Sequence, residues 1–197
     1  MADEYLTVKQ SLMVKKVVKR SRFLAHVREV NNEAEAREFL QAIREEHRQA
    51  THNCFAFRVG LPPKEVTFSD DDGEPGGSAG KPILGAILRK GITNTAIVVT
   101  RYFGGRKLGI RGLIEAYSEV SREALDLAGT VTRILEETVD LACQYDHLDR
   151  VMHLMDKYGA RIVDSQYTHR AVLTLAIRRS LRDNLVEELG LWAEIGN

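Results

Sequence analysis

The sequence contains little cysteine and no excess of charge of either sign. Cys54 and Cys143 are its only cysteines in 197 residues, which is too few for a disulfide framework or a four-thiolate zinc site. The 28 lysines and arginines are balanced by 28 aspartates and glutamates, so total charge alone does not indicate a nucleic-acid-binding protein. The low cysteine content leads us to expect a reducing compartment. The balanced charge means that a basic surface could only be confined to part of the protein.

Long apolar runs are also missing. No run reaches the about 20 residues that a membrane-spanning helix needs. The first residues, with Asp3 and Glu4, lack the apolar core of a signal peptide. We therefore expect a cytoplasmic protein without membrane contact. Hydrophobic residues make up 44% of the chain and charged residues 28%, which is typical of a folded protein rather than of a disordered one.

Hydrophobic periodicity predicts an α+β protein of two domains, at residues 1–129 and 133–197. In the first domain we predict a helix that follows Asn32 and ends near His47. We also predict strands at residues 5–14, 21–30, 52–59 and 95–100, a basic turn at 15–20, a loop at 60–81, and helices at 82–88 and 113–127. The loop is long for a compact domain, and such loops are often functional.

The second domain shows the order strand, helix, strand, strand, helix. The strands are predicted at residues 138–144, 161–167 and 172–177, and the helices at 148–158 and 181–189. This order is the start of a ferredoxin-like split βαβ unit. A last strand has little room, because only residues 190–197 remain.

Basic residues are concentrated in two segments of the first domain. Residues 5–28 and 76–114 hold seven lysines and arginines each and no acid, whereas residues 65–74 hold five acids and no base. In Arg-Tyr-Phe-Gly-Gly-Arg-Lys at 101–107, cations can neutralise phosphates and aromatic rings can stack on bases. We expect the parts at 15–22 and 101–111 to converge on one face of the first domain. The alternative is a solvated loop with Tyr102 and Phe103 in the core. The candidate nucleic-acid-binding residues are Lys15, Lys16, Lys19, Arg20, Arg22, Lys81, Arg101, Tyr102, Arg106, Lys107 and Arg111.

The acidic loop and a nearby His/Cys pattern are candidates for catalysis. The carboxylates at 70–74 could hold a divalent cation or supply a general base, or they could serve a turn-rich loop. His47, His52 and Cys54 could be metal ligands or a nucleophile pair, but His47 suits the end of a helix and Cys54 suits a buried strand. We expect no metal and no cofactor, and a buried, slowly reacting Cys54. The candidate catalytic residues are His52, Cys54, Asp71, Asp72 and Glu74.

Four segments taken together resemble the signature of the IMPACT (YigZ) family, in its bacterial two-domain branch. They are Lys-Arg-Ser-Arg-Phe at 19–23, His-Asn-Cys-Phe-Ala at 52–56, Asp-Asp-Gly-Glu-Pro-Gly-Gly-Ser-Ala-Gly-Lys-Pro at 71–82, and Val-Val-Thr-Arg-Tyr-Phe-Gly-Gly at 98–105. The resemblance covers nearly all of residues 15–128, and residues 133–191 look like the small C-terminal domain of that branch. Asp70 is an extra acid, and Arg111 stands where the family has glycine.

The resemblance implies a fold, and together with the charge segregation and the acidic loop it leaves three functional hypotheses. It implies a first domain like domain IV of elongation factor G, a fold shared with ribosomal proteins, and a ferredoxin-like second domain like its domain V. The eukaryotic relative is a translational regulator that acts by protein contact. The leading hypothesis is a translation-related regulator that binds RNA or the ribosome through a basic face. The alternatives are a hydrolase that uses the acidic loop with His52, Cys54 and Arg101, and a regulator that binds only a protein partner.

Overall fold

The computed structural model describes residues 3–61 and 63–196, which divide into two compact units. The first unit consists of residues 6–132, and the second of residues 133–196 together with residues 3–5. Residues 3–5, which we assigned to the first domain, thus group with the second unit. Residues 1, 2, 62 and 197 of the predicted domains and loop lie outside the described residues.

Five antiparallel strands form the sheet of the first unit, in the order β2-β3-β6-β4-β5. They are β2 (Leu12–Val18), β3 (Ser21–Glu29), β4 (His52–Val59), β5 (Val66–Asp70) and β6 (Thr95–Tyr102). A separate two-stranded sheet pairs β1 (Glu4–Val8) with β7 (Thr130–Ile134). The central strand β6 is the continuous β-branched run of the sequence, and it is buried along nearly its whole length.

Helices cover both faces of this sheet. Because successive side chains of a strand point to opposite faces, Ala96 and Val98 pack with α1 (Glu33–Glu46) in one hydrophobic cluster. Ile97 and Val99 pack on the other face with α2 (Gly80–Lys90) and α3 (Gly109–Ala128). The same alternation determines which side chains at the end of β6 are buried.

The turn between β2 and β3 is shorter than predicted. Val18 pairs with Ser21, so only Lys19 and Arg20 form the turn, and the predicted turn at 15–20 is wrong because its first half belongs to β2. Both turn residues have positive φ, 46° and 71°, as a type I′ hairpin requires. As strand residues, Lys15 and Lys16 point to opposite faces of the sheet.

Other predicted elements of the first unit are confirmed with changed bounds. The predicted strand at 5–14 is two strands, β1 and β2, and the predicted loop at 60–81 contains β5. Helix α3 begins four residues earlier than predicted, at Gly109. Asn32 is confirmed as the N-cap of α1, because its side chain accepts a hydrogen bond of 2.9 Å from the Glu35 N–H.

The second unit has a four-stranded antiparallel sheet in the order β11-β8-β10-β9. Its main elements are β8 (Glu136–Cys143), α4 (Tyr145–Tyr158), β9 (Arg161–Tyr167), β10 (Ala171–Arg178), α5 (Arg182–Leu189) and β11 (Glu194–Ile195). This β-α-β-β-α-β order is that of the split βαβ unit. The last strand, for which the sequence leaves little room, is present with two residues.

Within the described part of the chain, none of the helices combines the length and apolar character that crossing a bilayer requires.

Candidate functional site

A buried charge pair lies at the centre of the first unit's candidate site. Arg101, at the end of β6, donates from Nη1 to Oε1 of Glu74 over 2.6 Å. The Tyr117 hydroxyl, from α3, donates to the same oxygen over 2.8 Å. Arg101 is only 5% exposed, because it extends the series of Ile97 and Val99 toward the helices. The charge of Arg101 is therefore neutralised by Glu74 inside the protein. Arg101 does not belong to the surface that we predicted would contact phosphates.

Cys54 lies on β4 beside this pair and is confirmed as a buried strand residue. Its Sγ lies 3.1 Å from the Asp71 carbonyl oxygen and 3.2 Å from the Tyr117 hydroxyl oxygen, and its single proton can be donated to either of them. Burial raises the pKa of the thiol far above its ordinary value, against the smaller lowering effect of the Tyr117 hydrogen bond. Burial also raises the pKa of the Tyr117 hydroxyl. Because the thiolate is the nucleophilic form, Cys54 is held in its unreactive state.

The acids of the loop hold its backbone. The Asp71 carboxylate accepts from the N–H groups of Gly77, Ala79 and Gly80 at 2.7, 3.0 and 2.8 Å. Burial alone would raise the pKa of this carboxyl, but the backbone donors and Lys81 lower it below the ordinary value. Asp71 thus serves the first amides of α2, whose N-cap Ala79 makes no side-chain hydrogen bond.

Asp72 and His52 connect the loop to α1 and β4. Asp72 accepts from Arg44 at 2.7 Å and from the Asn53 N–H at 2.6 Å. His52 contacts the Asp72 carbonyl oxygen through Nδ1 at 2.8 Å, and its Nε2 lies 3.9 Å from Oε2 of Glu74. Among the described residues, no three His, Cys, Asp or Glu side chains are grouped as a metal would require. The five candidate catalytic residues therefore lie close together, but their contacts serve to hold the acidic loop against the neighbouring strand and helices.

The β2–β3 turn packs against the loop that follows β6. A Cβ at Gly104 would lie 2.1 Å from the Arg20 carbonyl carbon, so only glycine fits there. The Gly104 N–H also donates to Oγ of Ser21 over 3.2 Å. This contact brings part of the two basic segments together. The exposed cations at this end of the sheet come from the turn, from the start of β3 and from the loop after β6. They are Lys19, Arg20, Arg22, Arg106 and Lys107.

Tyr102 is not available as an open stacking ring. The Arg22 guanidinium lies over its ring, 4.6 Å from the centroid. The Tyr102 hydroxyl forms a hydrogen bond of 3.0 Å with Nδ1 of His47 at the end of α1. The pair instead presents the Arg22 plane, which is itself a surface on which bases stack.

The remaining predicted cations have different surroundings. Lys16 pairs with Glu119 of α3 at 2.9 Å on the helix-covered face, whereas Lys15 is exposed on β2. Arg111 is 93% exposed in its side chain and pairs with Glu115 one turn later. Lys81 is exposed at the start of α2. Convergence is thus partial: Lys16 and Arg101 do not join the exposed group.

A cavity of about 360 Å³ opens beside the buried pair. Two apolar lining residues, Phe103 and Ile110, are exposed by 47% and 61%. From the sequence we named Phe103 only within the 101–107 motif and not as a candidate residue, and we missed Ile110. Other lining residues are Glu74, Arg101, Lys107 and Leu113. Alternation along β6 would place Phe103 on the buried face of Arg101, but the strand ends at Tyr102, so the exposure of Phe103 follows from the loop beyond the strand and has no signal in the strand itself.

Comparisons with known proteins agree on one family. The family described as "Impact N-terminal domain" matches residues 19–125, and a domain of unknown function matches residues 141–190. IMPACT family member YvyE of Bacillus subtilis is 40% identical over 77% of this chain and 69% of its own. An IMPACT family member of Haemophilus influenzae is 33% identical over 94% and 91%.

A solved structure supports the fold. The crystal structure of a hypothetical protein aligns with 99% of this chain and 97% of its own, with 28% identity and a TM-score of 0.74. The structure described as the two-domain translational regulator Yih1 aligns with 63% of this chain and 47% of its own at 26% identity. Its TM-score of 0.38 is too low to establish a shared fold.

Proposed function

This chain belongs to the IMPACT family, and from that premise we propose that it is a cytoplasmic, translation-related regulator that binds single-stranded RNA, free or on the ribosome. The first unit provides the contact surface. We also propose that the two units share the folds of domains IV and V of elongation factor G, as the resemblance implies. A likeness to a factor that works on the ribosome fits an RNA ligand.

The observation that carries the proposal is the contact between the β2–β3 turn and the Gly104 loop. It gathers five exposed cations at one end of the sheet, in a protein whose net charge is zero. The turn places Lys19 and Arg20 in the left-handed region, where residues other than glycine and asparagine are uncommon. Because lysine and arginine adopt this conformation only at an energetic cost, their presence in the turn favours a functional role for their charge.

A hydrolase receives less support from the geometry. Glu74 is tied to Arg101 and Tyr117, Asp71 and Asp72 hold backbone amides, and Cys54 is a buried thiol. General-base or nucleophilic catalysis needs a group within reach of a substrate in its reactive form. A protein partner is the other candidate, because Phe103 and Ile110 expose apolar area next to the cations, and the RNA experiment separates the two.

The test is a titration of a labelled single-stranded RNA at several salt concentrations. Each phosphate neutralised on a single strand contributes about −0.7 to the slope of log K against log salt. Replacing Arg106 and Lys107 together by serine should weaken binding and flatten the slope by about one to two. Wild-type protein with no affinity even at low salt would overturn the RNA proposal and leave the protein partner.

The chain supplies a matched control. Arg89 and Lys90 form the same dipeptide at the end of α2, which precedes the start of β6 and therefore lies at the opposite end of the sheet. Replacing both by serine removes the same charge from the protein. This control variant should keep the wild-type slope. Equal flattening by the two double variants would mean that binding follows net charge and not this surface.

A further inference from the structure

The cavity beside the buried pair favours an anion. Arg101 lines it, and the Nε–H of this nearly buried side chain has no hydrogen-bond partner among the described residues. Lys107 is exposed at the rim. The one acid in the wall, Glu74, is already paired with Arg101. A negative group entering the cavity would therefore meet uncompensated donors and cationic charge.

The start of α3 adds a second source of positive potential at the same wall. Gly109 and Ile110, the first residues of this 20-residue helix, line the cavity. The helix has no side-chain cap and no acid in its first turn. Its first amides, which have no partner within the helix, are donors at the positive end of the helix dipole, where phosphate groups bind readily.

The rest of the wall suits a flat apolar group. Phe103 is half-exposed, with the Arg101 guanidinium 5.5 Å from its ring centroid. Ile110 and Leu113 provide aliphatic surface on the helix side. A volume of about 360 Å³ lies at the lower end of the range for small-ligand sites. The cavity thus combines an anion-binding end with an aromatic wall.

We propose that this cavity binds one nucleotide, with its phosphate at Lys107 and the first amides of α3 and its base against Phe103 and Ile110. The inference rests on the proposed function when the nucleotide is a unit of an RNA strand. The same chemistry would take a free nucleoside monophosphate. One splayed-out base held in this way would add a specific contact to the salt-dependent surface.

The experiment measures binding of uridine and adenosine 5′-monophosphate, inorganic phosphate and a short single-stranded RNA to the full chain. The key variant is Ile110→Glu, which places a carboxylate in the first turn of α3, where it is compatible with the helix dipole. It should weaken nucleotide binding at least about tenfold, because like charges face each other. Ile114→Glu is the control, since it adds the same charge one turn later at an exposed position outside the cavity wall.

A second variant tests the aromatic wall. Phe103→Leu keeps an apolar side chain but removes the stacking surface, which is worth about 1–3 kcal/mol per base. Nucleotide affinity should fall at least about fivefold by the same stacking energy, and binding of inorganic phosphate should not change. Phosphate binding as tight as that of the monophosphates would overturn the role of the base.

The possible outcomes separate the two proposals. Monophosphate binding that Ile110→Glu abolishes supports a free nucleotide as ligand. RNA binding that both cavity variants weaken, with the salt slope unchanged in Phe103→Leu and without monophosphate binding, supports a nucleotide unit of a strand. RNA binding untouched by both variants, in a protein that binds no monophosphate, overturns the cavity proposal and leaves the basic surface. Monophosphate binding without RNA affinity overturns the proposed function and leaves the cavity.

Discussion

The role of the Glu74–Arg101 pair can be tested by removing one charge at a time. Both side chains are almost fully buried, at 3% and 6% exposure. Removing one partner of such a pair leaves an uncompensated buried charge and costs about 3–5 kcal/mol. Glu74→Gln keeps an oxygen that accepts from Tyr117, so its cost should come mainly from the orphaned guanidinium, and we expect this range for the free energy of unfolding.

The double variant Glu74→Leu with Arg101→Leu forms a double-mutant cycle with the single variants Glu74→Leu and Arg101→Leu. It leaves no charge buried, and apolar replacement of a buried pair is often nearly neutral. Its cost should therefore be smaller than that of either single variant, apart from about 1–3 kcal/mol for the Tyr117 hydroxyl that loses its acceptor. Urea denaturation followed by circular dichroism measures the free energy of unfolding of Glu74→Gln, the two single leucine variants and the double variant, and hydrogen exchange in β4 and β6 assigns the loss to the first unit.

A surface pair provides the comparison. Glu33 and Arg37 form an exposed pair one turn apart on α1, with 2.5 Å between Oε1 and Nη2. Glu33→Gln should change stability by less than about 1 kcal/mol. A similar small effect of Glu74→Gln, or additive effects in the cycle, would refute the structural role. Glu74 and Arg101 would then be accessible to solvent and open to a catalytic assignment.

Two further predictions concern buried groups that titrate. Burial, with the nearby His47, lowers the pKa of His26 from 6.5 to about 4, while Glu46 opposes the shift. As the pH falls, His26 therefore takes up a proton in the unfolded chain before it does so in the folded chain. The free energy of unfolding should fall by about 3 kcal/mol between pH 6.5 and pH 4. His26→Leu should flatten the unfolding free energy in that window, and an unchanged pH profile would contradict the assignment. The second prediction concerns Cys54. Because Cys143 is buried as well, a thiol-labelling reagent should modify neither cysteine quickly in the folded chain and should modify both in urea. Rapid labelling of either cysteine without urea would contradict this prediction.

The elements of the fold were largely predictable because their signals are local. The β-branched run at 95–100 became β6, and Asn32 ended up as the cap of α1. Register was not predictable to the same degree. The limits of the β2–β3 turn depend on which residues pair across the hairpin, and that pairing is set by the whole sheet.

The candidate site was predicted as a set of residues but not as an arrangement. Glu74 and Arg101 are 27 residues apart, and nothing in either segment shows that one neutralises the other. Arg101 therefore looked like a surface cation in a basic segment. Phe103 was left out of the candidate residues for the related reason that exposure of an aromatic residue depends on neighbours contributed by other elements.

The contacts of Asp71 have a consequence for how the first unit opens locally. Helix α2 lacks a cap of its own, and its first residue, Gly80, lies so close to the Asp70 backbone that a Cβ would be 2.8 Å from it. A helix of 11 residues nucleates poorly from its own sequence. Its first turn is therefore stabilised by acceptors that are in place only when the chain doubles back from β5. The acidic loop and α2 are thus expected to open and close as one local unit, which hydrogen exchange of their amides would show as a shared protection.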